Sequence, residues 1–270
     1  MSKLGKKKIL IIGYKSFIQE NLYDFLKKNF FVKKVRFNNI NEKNITNCDI
    51  IINCSNSINF FHKNYKKKYD RNLQIANIIK NRGVKLFLLS SRQVYSQKLF
   101  LTEKSKLKPI NTYAKNCIKS ERLCERLLKN NLLVLRLSNI FGFENGKKKK
   151  PSLVSLILHG LKKKEITFDN NYFLHKDFLP INLFCKYIEK LVTIETTGII
   201  NVGSGIPILV KEFFKKTINI KKIKIKIKLF DKFIDKSYCF DINKLTKITK
   251  IKVNKKDLNI SFSKLKNRLK

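Results

Sequence analysis

Apolar residues along this 270-residue chain follow two rhythms, and their alternation predicts the build of its first half. Lys8 to Ile12 (KILII), Asp49 to Cys54 (DIIINC), Lys85 to Leu89 and Leu132 to Leu137 (LLVLRL) are short, nearly continuous apolar runs. That is the pattern of strands buried on both faces. Phe31 to Phe37 reads as a further short strand. Residues 17 to 28 place Phe17, Leu22, Phe25 and Leu26 on one helical stripe. Tyr69 to Asn81 reads as a helix stopped at Arg82-Gly83, and residues 112 to 130 as a long helix. Strands alternating with helices at this spacing predict an α/β fold with a doubly wound parallel sheet. The connection between the second and third strands is short, so its crossover helix is expected to be shrunken or missing.

After Gly142 the character changes. The charged loop ENGKKKKP at 144–151 is the expected boundary between residues 1–143 and a smaller lobe of residues 144–270, with segments such as 172–205 free to return to the main sheet. Helices are expected over Ser152–Leu161, Asn182–Thr193 and Val210–Ile218, and Gly198–Gly205 reads as a strand entering a glycine turn. Lys222 to Leu229 (KIKIKIKL) alternates strictly. It predicts a half-buried edge strand with Ile223, Ile225, Ile227 and Leu229 toward a core and lysines guarding the edge. No internal repeat is present.

Composition sharpens the picture in three ways. At 43% apolar residues the chain can bury a substantial core, which excludes a disordered basic tail. Its formal charge of +41 invites a nucleic-acid reading, but only eight of the 60 basic residues are Arg. Base readout favours Arg for its bidentate fork, so a specific nucleic-acid partner is not expected. A field of this sign still draws anionic ligands such as nucleotide diphosphates. The six cysteines (48, 54, 117, 124, 185, 239) show no metal-ligand spacing, and His62, His159 and His175 are too scattered for a metal site. Reduced structural thiols in a cytoplasmic protein are expected. The apolar run behind the basic N-terminus is too short for a signal h-region, and no segment approaches the length of a membrane span.

Two places carry chemistry. Gly13 lies between a buried strand and an amphipathic helix, where a turn presses backbone amides against a pyrophosphate. The apolar strand at Lys85–Leu89 runs into Ser90-Ser91, and Tyr113 opens the long helix. Together they bring a hydroxyl and a phenol to the carboxyl edge of one sheet.

Quoted in order, IIGYKSFIQENL, LLSSRQVYS, TYAKNCIKSE, LRLSNIFG, HKDFLPI, NVGSG and DINKL resemble segments of the extended short-chain dehydrogenases. This is the NAD-dependent epimerase/dehydratase family, which works on nucleotide sugars. The resemblance implies a Rossmann-type dinucleotide domain over residues 1–143 and a substrate lobe over 144–270. It implies NAD or NADP as cofactor, a nucleotide-diphosphate sugar as substrate, and a homodimer. Ser91 takes the position of the catalytic hydroxyl that bonds the reacting oxygen. Tyr113 takes that of the proton-transferring tyrosine, and Glu121 matches a glutamate on the same helix. Gly13, Lys15, Ser16, Phe17 and Ile18 fall in the pyrophosphate turn, although two of the family's three glycines are Ser16 and Gln19 here. Asn38 falls at the ribose, where the usual acid is missing, and Arg36 beside it would suit a 2′-phosphate; NAD against NADP stays open. Asn139 and Lys176 fall at the sugar nucleotide, Lys176 replacing an arginine. Cys117 stands where the family has the lysine that lowers the tyrosine pKa and holds the nicotinamide ribose. Lys115 and Lys119 do not share its helical face with Tyr113. The implied activity is therefore that of an NAD(P)-dependent epimerase, dehydratase or reductase. The alternative is a catalytically impaired relative that binds a nucleotide and serves as a partner or regulatory subunit.

Overall fold

The computed structural model describes residues 7–96, 98–142, 160–218, 224–229 and 236–269. The helix expected over 152–161 falls outside them up to residue 159. The chain forms two compact units. One comprises Met1–Ser96, Lys106–Leu137 and Cys185–Ile200, the other Gln97–Ser105, Ser138–Phe184 and Asn201–Lys270.

In the first unit the apolar runs become β1 (Lys8–Ile12), β3 (Ile50–Asn53), β4 (Lys85–Ser91) and β5 (Leu132–Leu137), with β2 (Phe31–Val35) outermost. The sheet runs β2-β1-β3-β4-β5 and continues to β9 (Gly198–Val202). The pairs β1·β2, β1·β3, β3·β4 and β4·β5 are all parallel. Parallel strands need crossovers, and α1 (Phe17–Leu26), α3 (Ile58–His62), α4 (Arg71–Ile79) and α5 (Thr112–Leu128) fall between them. The short crossover survives as a single five-residue helix, α2 (Glu42–Thr46), which still buries Ile45. One core joins Leu10, Ile51, Leu86 and Val134 of the sheet to Leu73, Ile75 and Ile79 of α4 and Leu128 of α5. Each such side chain contributes roughly 1.5–3 kcal/mol on burial.

Among the boundaries that differ from the sequence reading, two have a visible cause. Strand β2 stops at Val35 because Phe37–Asn39 turn into a 3₁₀ helix. Helix α4 starts at Arg71 because buried Asp70 caps it, accepting from Leu73 N at 3.1 Å. The same carboxylate accepts from Tyr65 Oη at 2.7 Å and Ser120 Oγ at 3.0 Å.

The second unit holds a three-stranded sheet, β10 (Pro207–Leu209), β8 (His175–Pro180) and β6 (Asn139–Phe141), in that order. A two-stranded parallel pair joins β11 (Lys224–Ile227) to β7 (Glu165–Phe168). Helix α6 (Ile181–Thr193), most of which belongs to the first unit, leads into β9. Helices α7 (Val210–Thr217), α8 (Asn243–Thr249) and α9 (Lys255–Arg268) follow. Phe178 stacks on Phe213 at 4.3 Å and Phe141 on Phe262 at 5.3 Å, forming an aromatic core. The alternating strand needs correction. Ile225 is only half-buried, while Ile227 and Leu229 stand in solvent, 41% and 64% exposed. Among the described residues β7 is the one sheet neighbour of β11, which pairs at its backbone while Ile227 and Leu229 stay exposed. Ile223 lies outside the described residues.

Asp177 on β8 is the polar centre of this unit. Fully buried, it accepts from Ser204 N and Oγ (2.8 Å each), Gly205 N (3.2 Å) and Phe240 N (3.3 Å). A Cβ at Gly203 would collide with its carboxylate, so the NVGSG turn needs glycine there. Asp177→Ala leaves three amides without an acceptor and the Ser204 hydroxyl with only Ile206 O at 3.4 Å, at about 1–3 kcal/mol for each buried group that stays unpaired. The expected result is at least about 2 kcal/mol lost in chemical denaturation, with Asp177→Asn, which keeps one acceptor oxygen, losing less.

Candidate active site

The carboxyl ends of β1, β4 and their following helices hold the candidate residues of the first unit. At β1 the chain turns at Gly13, whose N–H donates to Val35 O at 2.9 Å. Lys15 takes a left-handed φ of 45° and Ser16 caps α1, accepting from Gln19 N at 3.2 Å. Phe17 and Ile18 form the first turn of the helix. Gln19 is buried, and its amide lies between α1 and β1 with Nε2 aimed at Ile11 O, 3.5 Å away. A Cβ on Gly13 would sit 3.0 Å from Gln19 Cδ. The glutamine therefore fills the room that Gly13 leaves, on the core side of the turn, and leaves the helix N-terminus uncovered by its own side chain. That geometry fits a pyrophosphate at α1. Among the described residues Gln19 Oε1 has no partner, an uncompensated buried acceptor beside the turn. Asn38 is exposed within the 3₁₀ turn after β2.

At β4 the two serines divide the work. Ser91 lies at the strand end, its Oγ accepting from Gln93 N at 3.2 Å. Ser90, which the sequence reading passed over, turns its hydroxyl to α5 and donates to Glu121. Glu121 also accepts from Arg136 Nε (3.2 Å) and Nη2 (2.6 Å), and Arg136 Nη1 donates to Tyr95 Oη at 2.8 Å. This buried ion pair bolts β4, β5 and α5 together. Glu121 was legible as a helix position, whereas its partner Arg136, inside an apolar strand, was not.

Tyr113 lies in the first turn of α5. Asn111, the N-cap, donates to Gln93 Oε1 at 3.1 Å, and Ile110 N donates to Gln93 O at 3.4 Å. The loop behind Ser91 is thereby tied to the helix start that carries Tyr113. The Tyr113 ring stacks on Phe61 at 4.7 Å and meets Phe60 edge-on at 6.1 Å. Asn116, buried on the same helix, holds those two phenylalanines by donating to Phe60 O and Lys63 O, both at 2.9 Å. Cys117, one turn on from Tyr113, is buried and hydrogen-bonded to the phenol. Lys115 and Lys119 are both exposed, Lys119 over the Tyr65 ring.

Burial, with the neighbouring Cys117 and Glu121, pushes the Tyr113 phenol well above its ordinary value. Desolvation likewise pushes the Cys117 thiol up to about 12. Both groups therefore hold their protons at neutral pH. All six cysteines are free thiols.

In the second unit Asn139 is partly exposed on β6. Lys176, expected at the sugar nucleotide, is engaged within its own unit. It is 3% exposed, its Nζ donating to Lys236 O at 2.9 Å and lying 5.3 Å from the Tyr238 ring centre. Its ammonium fastens the 236–238 segment to β8. Among the described residues no helix is long and apolar enough to cross a membrane, and no cluster of His, Cys, Asp or Glu forms a metal-ligand set.

A parallel α/β sheet with a glycine turn after β1, a serine at the end of β4 and a tyrosine opening α5 defines a Rossmann-type short-chain dehydrogenase architecture. Residues 9–203 match the NAD dependent epimerase/dehydratase family, and the chain belongs to it. No curated protein matches the sequence. Among solved structures, one similar fold is UDP-N-acetylglucosamine 4-epimerase from Methanobrevibacter ruminantium M1 in complex with UDP-N-acetylmuramic acid. It is 16% identical, with a TM-score of 0.83 and 98% of each chain covered. UDP-glucuronic acid 4-epimerase from Bacillus cereus in complex with NAD is also 16% identical, with a TM-score of 0.77 over 97% of this chain and 99% of that one. RMD from Pseudomonas aeruginosa complexed with NADPH is 16% identical, with a TM-score of 0.79 over 98% of this chain and 97% of that one.

Proposed function

We propose that the chain is an NAD(P)H-dependent reductase of a keto group on a nucleotide-diphosphate sugar. The observation that carries the reading is the Tyr113 phenol packed against Phe60 and Phe61 with the buried thiol of Cys117, not a lysine, one turn along its helix. An alcohol is oxidised with help from a base, and a phenol held well above its ordinary pKa supplies almost no phenolate at pH 7. A ketone is reduced with help from an acid, which the same phenol supplies in its resting state. The family and its dinucleotide-bound relatives support the cofactor class. The charge of +41 favours an anionic substrate.

Gly13, Lys15, Ser16, Phe17 and Ile18 would hold the pyrophosphate, with Arg36 and Asn38 at the adenosine ribose. When bound, the nicotinamide supplies the hydride. Ser91 Oγ donates a hydrogen bond to the carbonyl oxygen and orients it. Tyr113 Oη passes its proton to that oxygen as the alcohol forms, and takes a replacement from water. Cys117, in the family lysine's place, keeps a neutral partner on the phenol. In the second unit Asn139 is the residue we assign to the sugar nucleotide, and Lys176 fixes residues 236–238 to β8.

The test is oxidation of NADH or NADPH, followed optically, with a 4-keto nucleotide-diphosphate sugar as acceptor. The rate is expected to be flat from about pH 6 to about pH 9, because Tyr113 does not titrate there. A profile rising through neutral pH would mean that the phenol ionises and would overturn the assignment. One observation favours a second reading, a non-catalytic nucleotide-binding partner subunit. It is the Phe61 ring stacked on Tyr113, which covers one face of the phenol. Calorimetric binding of a dinucleotide without turnover of any keto sugar nucleotide would select it.

A further inference from the structure

One face of the Tyr113 ring is covered from α3, the five-residue helix that follows β3. The centres of the Phe61 and Tyr113 rings lie 4.7 Å apart and their planes 17° from parallel. A flat group between them would need the rings about 7 Å apart, so nothing reaches the phenol from that side. The covering ring is held from both ends of its helix. At the start, Ser57 Oγ accepts from Phe60 N at 3.2 Å and donates to Tyr69 O at 2.9 Å. At the end, the side-chain amide of buried Asn116 donates to Phe60 O and Lys63 O, carbonyls that a helix terminus leaves without internal partners. Asn116 and Tyr113 both belong to α5, so the clamp and the ring it serves share one helix. One turn beyond Asn116, Ser120 Oγ donates to Asp70 at 3.0 Å, and Asp70 accepts from Tyr65 at 2.7 Å. That fastens the chain beyond α3 to the same helix. Core packing does not account for Phe61: its neighbour Phe60, 1% exposed, fills the interior, and Phe61 itself is half-buried.

We infer that Phe61 determines specificity, as a ceiling over Tyr113 that excludes a keto sugar with a bulky substituent on the ring carbon beside the carbonyl. Asn116 is its positioning residue. The substrate class is then a nucleotide-diphosphate keto sugar with no exocyclic carbon next to the reacting carbon, a keto pentose. The inference rests on the reductase reading of Tyr113.

General attraction to a chain of charge +41 draws any nucleotide sugar, so the test compares two of equal charge. A UDP-4-keto pentose and a UDP-4-keto-6-deoxyhexose differ by one methyl beside the carbonyl. The pentose is expected to have a kcat/KM about 10-fold higher or more, the usual effect of one methyl group that a site excludes. Phe61→Ala is expected to erase most of that ratio and Phe61→Tyr to keep it. Asn116→Ala, which leaves the ring but releases its clamp, is expected to fall between. Hydroxyl-radical footprinting needs no substrate: oxidation of Tyr113, mapped by mass spectrometry, is expected to rise several-fold in Phe61→Ala. A ratio that Phe61→Ala leaves unchanged, or a wild type that prefers the hexose, overturns the inference and leaves the reductase reading standing. So does a Tyr113 footprint that Phe61→Ala does not raise. Turnover of neither sugar, by wild type or by Phe61→Ala, overturns both.

Discussion

Cys117→Lys is expected to raise the oxidation of a secondary alcohol on a nucleotide sugar by about 10²–10⁴-fold, the usual contribution of a well-placed general base. The new ammonium would share the helical face of Tyr113, one turn along. There it would replace a neutral thiol hydrogen-bonded to the phenol. A cation at that distance stabilises phenolate against the desolvation that now disfavours it. Glu121 and Asp70 both act electrostatically on position 117, so the lysine would enter a site already biased toward a positive charge. The check is a pH–rate profile for alcohol oxidation, expected to gain a limb rising with pH that wild type lacks. The Tyr113→Phe/Cys117→Lys double variant is expected to gain nothing. If Cys117→Lys keeps its Tm and its dinucleotide affinity yet shows no gain, the catalytic reading yields to the partner-subunit one.

Glu121→Ala is expected to cost about 3–5 kcal/mol of stability, read as a fall in Tm of roughly 10 °C. Arg136 is 2% exposed and would be left with a buried charge whose remaining partner among those described is the Tyr95 hydroxyl. The Ser90 hydroxyl would lose its acceptor at the same time. Removing both charges in Glu121→Ala/Arg136→Met should restore much of the loss, because an apolar pair needs no desolvation. A drop below about 1 kcal/mol for Glu121→Ala would show that water reaches the guanidinium and that the pair is not the bolt between β4, β5 and α5.

The parallel sheet was legible because strands buried on both faces must be apolar throughout, and KILII, DIIIN and LLVLRL have few other ways to be buried. Tyr113 and Ser91 were legible because each sits where a strand or helix visibly begins or ends. What lay hidden depends on contacts between distant segments. Alternation in KIKIKIKL records which residues share a face, not whether anything covers it, and Ile227 and Leu229 turn out to face water. Lys176 reads as an exposed cation until the chain returns with Lys236 and Tyr238 to enclose it. Gln19 reads as a polar residue on a helix, yet the missing Cβ of Gly13 makes a berth for it inside. Asp177 and Arg136 are strand residues whose partners lie 27 and 15 positions away, beyond the reach of local pattern.

The berth at Gly13 also constrains the routes by which this chain can change. Gly13 shows no left-handed φ, and the atoms that would crowd a Cβ there all belong to Gln19. The two positions are thus one mutational unit. Alanine at 13 is obstructed while glutamine stays at 19, and glycine at 19 leaves a hole and a less helical first turn while position 13 stays bare. A side chain at 13 therefore requires Gln19 to move first, so the glutamine narrows what its neighbour can become.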